Sequence, residues 1–130
     1  MAVAIHGGAG NLARYAGTGR LEEAEQFLGE LIDEMYATLR AGASAVDVAV
    51  LGVTKMEDRG IFHAGKGTSP NSNGEFELDA SIMHGRRRDA GAIAAAKTLK
   101  NPIVAARHVM ERTEQVLIVG YEADLLATAS

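Results

Sequence analysis

The sequence predicts an α+β fold, or a layered α/β arrangement, because helical and strand patterns follow one another along the chain. Apolar residues recur every three or four positions between residues 21 and 39, which is typical of an amphipathic helix. Apolar and acidic residues alternate between residues 75 and 82, which is typical of a half-buried strand. The predicted order of strand, two helices, hairpin, helix and strand points to this fold class.

Size and composition limit the possible functions. The 130 residues suffice for one core and are too few for two comfortable domains, so we expect a single domain over residues 1–130. A net charge of −4 gives no electrostatic support for binding nucleic acid. The absence of cysteine excludes disulfides, cysteine-ligated zinc and a thiol nucleophile. With neither a signal-peptide pattern nor a membrane-length apolar run, we expect a cytoplasmic protein without a membrane partner.

The N-terminal segment predicts a buried strand that ends in a glycine turn. Residues 2–5 are small or β-branched, and His6 then leads into Gly7, Gly8 and Gly10. Because glycine lacks a Cβ, such a turn can bring main-chain N–H groups close to a ligand or to another backbone segment. The spacing does not match the dinucleotide-binding fingerprint.

Two helices are predicted next. The first starts at Leu21 and ends before Gly42. Ser44 and Asp47 match a capping box that opens the second helix. Gly60 limits this second helix, whose predicted buried stripe is Val46, Ala49, Val50 and Val53.

The second half of the chain predicts a hairpin and a helix before a last strand. Asn73 and Gly74 favour a tight turn. The strand that follows has two faces: the apolar face is Phe76, Leu78, Ala80 and Ile82, and the acidic face is Glu75, Glu77 and Asp79. Its partner is expected over residues 90–96. Asn101 is predicted to be the N-cap of a third helix with Pro102 in its first position, and residues 115–119 are predicted to form a last strand before a final helix.

Several patterns suggest chemistry without completing a site. Gly60, Gly65 and Lys66 have the spacing of a phosphate-binding loop, but Gly67 replaces the Ser/Thr that binds magnesium and a helix precedes the loop, so nucleotide binding is disfavoured. The acidic strand face could hold a carboxylate pair for glycoside hydrolysis, although a solvent-facing edge is favoured. A solvated turn is favoured for the basic residues 86–88. The histidines show no zinc-binding spacing: His6, His63, His84 and His108.

Read together, the motifs resemble those of the plant-type asparaginases, also called isoaspartyl peptidases. Residues 6–10 are similar to the opening motif of that family, residues 42–50 to its second-helix pattern, and residues 62–67 to its F-N-A-G-x-G loop. The match continues in order over residues 77–83, 90–92, 100–103 and 106–111. The resemblance covers nearly the whole chain up to Gly120.

The resemblance implies an N-terminal nucleophile hydrolase with a four-layer αββα sandwich, of which this chain supplies the α-subunit half. It implies a precursor that cuts itself and frees a threonine at the N-terminus of a separate β subunit. The threonine hydroxyl would attack an amide carbonyl with its own α-amine as the base. The implied substrates are L-asparagine and β-aspartyl dipeptides, the implied assembly is (αβ)2, and no cofactor is implied for catalysis. The T-V-G cleavage motif is absent from the sequence, and Thr128, followed by Ala129 and Ser130, does not match it.

The resemblance also assigns supporting roles to residues of this chain. Gly7, Gly8 and Gly10 would lie near the nucleophile and flex during self-cleavage. His63 stands where the family has Asn, so we expect processing or activity to depend on pH. The next loop resembles the sodium-binding loop of the family, whose main-chain carbonyl ligands would be those of Met56, Glu57, Arg59, Phe62, Ala64 and Lys66. A tight structural loop without an ion is the alternative.

Two other functions stay open. The chain could be an inactive, truncated paralogue that acts as a scaffold or binding module. It could also belong to a glycosylasparaginase, which the absence of cysteine and the F-x-A-G-x-G loop disfavour. A gene that encodes T-V-G after Ser130 would favour the enzyme, and a stop codon there would favour the scaffold.

Overall fold

The computed structural model describes residues 1–128. These residues divide into two compact units, the first over Met1–Lys55 and the second beginning at Met56. The chain has mixed helix and strand content, as the α+β prediction requires. Ala129 and Ser130, on which the rejection of Thr128 as a nucleophile depends, lie outside the described residues. That the whole chain forms a single domain stays a prediction. The helices and strands are α1 (Arg20–Arg40), α2 (Ala45–Arg59), β1 (Leu78–His84), β2 (Asp89–Ala96), α3 (Pro102–Arg112), β3 (Leu117–Val119) and α4 (Tyr121–Asp124).

The first unit contains α1, which confirms the first predicted helix. Its buried residues are Leu31 and Met35. Gly42 follows the helix with φ of +108°, a left-handed conformation that favours glycine, so the predicted stop is confirmed. A Cβ added to Gly52 of α2 would lie 2.6 Å from the sulfur of Met35, so the two helices pack closely at this point.

The second helix begins as its capping box predicts. Ser44 Oγ accepts a hydrogen bond from the Asp47 N–H at 3.0 Å and donates one to Asp47 Oδ2 at 2.7 Å. The predicted stripe is partly wrong, because Ala49 is exposed whereas Val48 is 3% exposed. The buried face passes through Val48 and Gly52, four residues apart, and an apolar pattern overlooks a buried glycine.

The strand predicted for residues 2–5 is wrong for this chain. Val3 and Ile5 are half-buried, while Ala2 and Ala4 are exposed, so the alternation that marks a strand is present. The segment pairs with no strand in residues 1–128 and therefore forms no ladder. A short 3₁₀ helix that the sequence analysis did not predict follows at Leu12–Tyr15.

The second unit is built on a three-stranded sheet in the order β1-β2-β3. β1 and β2 are antiparallel with Ile82 opposite Gly91, whereas β2 and β3 are parallel with Ile93 opposite Ile118. This pairing confirms the predicted hairpin and last strand, and α3 confirms the predicted third helix. The core of this unit packs residues of the sheet against α3 and α4: Leu78, Ile93, Ala96, Leu99, Ala105, Val109 and Ala123.

The start of β1 differs from the prediction. The strand begins at Leu78, so Phe76 precedes it and is 56% exposed rather than part of the buried face. The pairing register shifts between Leu78 and Ala80, and Ala95 opposite this shift has φ of +54°. The Asp79 carboxylate accepts a hydrogen bond from the Ala95 N–H at 2.9 Å. This N–H would otherwise be left unpaired by the irregular strand pairing.

Strand β2 and helix α3 lie so close together that the backbone of one contacts the backbone of the other at Gly91. A Cβ added to Gly91 would lie 2.8 Å from Met110 Cα and closer still to the Ala106 carbonyl oxygen and the Met110 nitrogen. Ala106 itself is fully buried. Only glycine therefore fits at this crossing, and the sheet–helix distance depends on it.

We expect Gly91→Ala to lower the free energy of unfolding by about 2 kcal/mol, because the new methyl must push α3 away from the sheet. Urea denaturation of the purified gene product measures the change. Gly85→Ala is the matched control, since no atom of residues 1–128 outside Gly85 and its two chain neighbours lies within 4 Å of a Cβ added there. Equal effects of the two substitutions would contradict the close approach.

Candidate functional site

The last turn of α2 and the loop that follows it hold most of the predicted site residues. α2 ends at Arg59, and Gly60, with φ of +79°, reverses the chain. A 3₁₀ turn follows at Gly65–Gly67. A Cβ added to Gly65 would lie 2.5 Å from Glu57 Cβ, and one added to Gly67 would collide with the Phe62 carbonyl oxygen. Close packing of Gly65 against the end of α2, and of Gly67 against the backbone of the loop itself, thus explains these two glycines without any bound phosphate.

The six carbonyls predicted to bind sodium belong to two neighbouring pieces of backbone. Met56, Glu57 and Arg59 lie in the last turn of α2, where carbonyl groups carry the negative end of the helix dipole. Phe62, Ala64 and Lys66 lie in the loop that folds back on that turn. The Ala64 carbonyl accepts a hydrogen bond from the Gly67 N–H at 3.1 Å, which occupies one of its two lone pairs. Hard carbonyl oxygens at the negative end of a helix suit a sodium ion.

Glu57 is the one buried charged residue that the structure identifies in residues 1–128, and it is 2% exposed. Its carboxylate accepts hydrogen bonds from the Ile103 N–H at 3.0 Å and from Asn101 Nδ2 at 3.1 Å. Burial raises the pKa of Glu57; the hydrogen bonds from Asn101 and Ile103 lower it, and the charge of Asp58 raises it, so the pKa lies above its usual value. The carboxylate therefore joins the end of α2 to the first turn of α3.

The side chain of Asn101 does not cap α3 as predicted. It precedes the helix but makes no capping hydrogen bond, and its Nδ2 instead donates to Glu57 and, at 2.9 Å, to Asp58 Oδ1. The Glu57 carboxylate takes over the capping role by accepting from a first-turn N–H of α3. Residue spacing could not reveal this cap, because the acceptor comes from the preceding helix.

The remaining predicted site residues are exposed and lie in separate parts of the chain. Gly7, Gly8 and Gly10 lie in the first unit; Gly8 and Gly10 have φ of +117° and +143°, and the Gly8 N–H donates to His6 Nδ1 at 3.1 Å. His63 lies in the second unit, where its Nδ1 is 3.0 Å from Ser69 Oγ. Gly8 and Gly10 therefore adopt backbone conformations that favour glycine, as expected for this turn. The roles of the glycine turn and of His63 in processing stay predictions.

The other acidic and basic candidates have structural partners. Glu75 pairs with Lys97 at 3.1 Å, and Glu77 accepts a hydrogen bond from Asn71 at 3.0 Å. In the basic turn Arg87 pairs with Asp89 at 2.8 Å. Together with the role of Asp79 at Ala95, these contacts favour structural roles over a carboxylate pair. Within residues 1–128 there is no cluster of three or more His, Cys, Asp or Glu side chains that could hold a metal ion.

Comparison with known proteins identifies the family to which this chain belongs. A profile of the asparaginase family matches residues 1–130, and the chain belongs to that family. It is 39% identical over 125 residues to an isoaspartyl peptidase/L-asparaginase of Danio rerio, covering 96% of this chain and 39% of the relative. It is 41% identical over 127 residues to an isoaspartyl peptidase of Salmonella typhimurium, covering 96% of this chain and 40% of the relative.

A plant-type L-asparaginase of Thermococcus kodakarensis is 39% identical over 119 residues, covering 92% of this chain and 38% of the relative. The chain thus spans about two fifths of the length of these curated relatives. The resemblance drawn from the sequence motifs is confirmed. No helix formed by residues 1–128 is both long and apolar enough to cross a membrane.

We expect Glu57→Ala to lower the free energy of unfolding by about 3 kcal/mol, because the Ile103 N–H and the Asn101 amide lose their buried acceptor. Chemical denaturation of the gene product measures the loss. Glu111→Ala is the control: this carboxylate is 38% exposed and forms an i,i+4 pair with Arg107, so we expect a loss of about 0.5 kcal/mol. A small loss for Glu57→Ala would contradict the capping role.

Proposed function

We propose that this chain is the α subunit of an amidohydrolase that cleaves L-asparagine and β-aspartyl (isoaspartyl) dipeptides. The observation that carries the proposal is the similarity of more than 90% of the chain to relatives named isoaspartyl peptidase and L-asparaginase. The nucleophile would be the N-terminal threonine of a β subunit that self-cleavage releases from the same precursor. The expected assembly is (αβ)2, built on the four-layer αββα sandwich, and the expected location is cytoplasmic.

An unpaired strand pattern and an exposed sheet edge support the existence of a β subunit. Residues 2–5 alternate in burial like a strand but have no strand partner in residues 1–128. In the second unit β3 is an edge strand, and Leu117 and Val119 are both 53% exposed. Native proteins rarely leave an apolar edge uncovered, because it pairs with other chains. A second polypeptide that continued these sheets would cover such surfaces.

In the proposed mechanism this chain supports chemistry that takes place on the β subunit. The threonine hydroxyl attacks the side-chain amide carbonyl of the substrate and passes its proton to its own α-amine. Ammonia or an amino acid leaves, and water releases aspartate from the acyl-enzyme. The Gly7–Gly8 turn gives the precursor the freedom to rearrange around the scissile bond, and His63 offers a ring nitrogen in place of the family's asparagine.

The loop that follows α2 would bind a sodium ion in this proposal. The last-turn carbonyls of α2 and the carbonyls of Phe62, Ala64 and Lys66 would hold it, and the ion would fix the loop without taking part in the reaction. Two features support the site: the negative end of the α2 dipole, and the close approach of the loop to that turn at Gly65. Variation in the side chains is compatible with such a site because only backbone oxygens coordinate.

We expect the purified gene product to contain this chain and a second polypeptide that begins with threonine, and to release ammonia from L-asparagine. Intact-mass spectrometry and N-terminal sequencing identify the polypeptides. An ammonia assay with L-asparagine and an amino-acid assay with β-aspartyl-leucine measure the activity. A single species without activity on either substrate would contradict the proposal and favour the scaffold. Activity confined to a sugar-linked asparagine would favour a glycosylasparaginase.

The glycine turn is tested in the same preparation. Gly8→Ala places a side chain at φ of +117°, and we expect self-cleavage to slow about tenfold because the strain opposes the rearrangement. Gly17→Ala is the matched control, since Gly17 also has a positive φ and open space around its Cα. Equal rates of self-cleavage in the two variants would contradict a role for the turn.

We expect exchange of sodium for choline to lower the free energy of unfolding by about 1 kcal/mol, because an ion at a few times its dissociation constant stabilises the folded state by this amount. Thermal denaturation at constant ionic strength measures the effect. A titration of sodium back into the choline buffer should restore the stability with a saturable curve. A melting temperature independent of the cation would favour a structural loop without an ion.

A further inference from the structure

The second unit contains an open cleft of about 660 Å³ that no part of the proposed hydrolase reaction uses. Its walls are the turn around Lys66, the segment that leads into β1, and residues 97–100 after β2. Small-molecule sites typically measure about 300–1,000 Å³, so the cleft is large enough for a metabolite.

Positive charge is concentrated in this cleft. Three of the four lysines in the sequence, Lys66, Lys97 and Lys100, line it, although the chain as a whole has a net charge of −4. The acidic residue of the lining is Asp58, whose Oδ1 accepts a hydrogen bond from Asn101 Nδ2 at 2.9 Å. Lys97 pairs with Glu75, but within the described residues neither Lys66 nor Lys100 forms an ion pair. The cleft therefore offers ammonium groups to an anion.

The rest of the lining is apolar and includes an exposed ring. Leu78 and Leu99 are 8% and 7% exposed and are anchored in the core of the second unit. Phe76 also lines the cleft but is 56% exposed and belongs to no strand. A bulky aromatic side chain that the core does not use can pack against the apolar body of a ligand.

Two of the three walls, the turn around Lys66 and residues 97–100, are held in place by buried or charged contacts, so the backbone that carries the lysines is fixed. The Asp124 carboxylate accepts hydrogen bonds from the Lys97 N–H at 2.9 Å and the Thr98 N–H at 2.8 Å. Partial burial raises the pKa of Asp124, but these hydrogen bonds and the charge of Lys97 outweigh it, so the pKa lies below its usual value. The carboxylate therefore stays ionised near neutral pH. On the other wall Gly65 and Gly67 pack against Glu57 and Phe62 on either side of Lys66. A site whose walls are already ordered loses little entropy on binding.

We propose that this cleft binds a small organic anion, with a carboxylate or phosphate group among Lys66, Lys97 and Lys100 and an apolar body against Phe76. The proposal does not depend on the hydrolase activity, because binding is measured directly and a failure of either leaves the other standing.

Binding is tested by isothermal titration of the complete gene product with four probes that share a phenyl group. 3-Phenylpropionate and phenyl phosphate carry the two anionic groups, 3-phenylpropanol is neutral, and 3-phenylpropylamine is cationic. We expect saturable binding of at least one anion with a dissociation constant below about 5 mM, and the preferred anion identifies the head group. No saturable binding of either anion would overturn the proposal, and this result is expected if another polypeptide covers the cleft. Equally tight binding of the alcohol or the amine would also overturn it.

Substitutions then locate the site. Lys100→Gln removes one exposed ammonium group and should weaken binding of the preferred anion about fivefold. Lys55→Gln is the matched control: it is the same change at the one lysine outside the cleft, where the side chain pairs with Glu34 at 2.7 Å. We expect this control to bind like the parent protein.

Phe76→Ala provides a second, independent variant, since its exposed ring can be removed without a cavity in the core. It should weaken all bound phenyl probes by a similar factor. Melting curves establish that each variant is folded. Equal weakening by Lys55→Gln and Lys100→Gln, or unchanged binding in both Lys100→Gln and Phe76→Ala, would overturn the assignment.

Discussion

The second unit depends on one buried carboxylate, that of Glu57. It lies in the last turn of α2, touches the glycine turn that follows, and accepts hydrogen bonds from the start of α3. A buried carboxylate costs free energy unless its oxygens are satisfied, and here the peptide N–H of Ile103 and the amide of Asn101 satisfy them. Because these donors belong to α3, the cost of burial is offset only when the helix and the loop are both in place.

The fixed position of Glu57 also restricts the neighbouring backbone. Gly65 cannot be replaced by a residue with a side chain unless Glu57 moves, since a Cβ would lie 2.5 Å from that of Glu57. The position of Gly65 in turn fixes where the loop carbonyls and the Lys66 side chain begin. The proposed sodium ligands of the loop and one wall of the anion cleft therefore both depend on the contact between Gly65 and Glu57. A second close approach, at Gly91, sets the distance between the sheet and α3 independently.

Features with local causes could be predicted from the sequence, and features with distant causes could not. The capping box at Ser44, the glycine stop at Gly42 and the hairpin depend on neighbouring residues, so their patterns sufficed. The cap of α3 comes from Glu57, 46 positions before Ile103. The apolar run over residues 2–5 predicted a buried strand, but a strand also needs a partner, and residues 1–128 supply none. The sequence contains no complete catalytic set, so the candidate site followed from the resemblance to a family. The cleft, in contrast, brings together lysines from two separate segments of the chain.

The uneven placement of lysine has a consequence for handling the protein. Amine-reactive dyes and coupling resins modify lysine ammonium groups, and three of the four in this chain line one cleft. Random amine labelling would therefore concentrate on that face and neutralise it, so a sensor surface prepared in this way would report a blocked molecule. The chain has no cysteine, so a single cysteine introduced at an exposed position of α1, for example at Glu30, would give one attachment point in this chain that leaves its lysines unmodified.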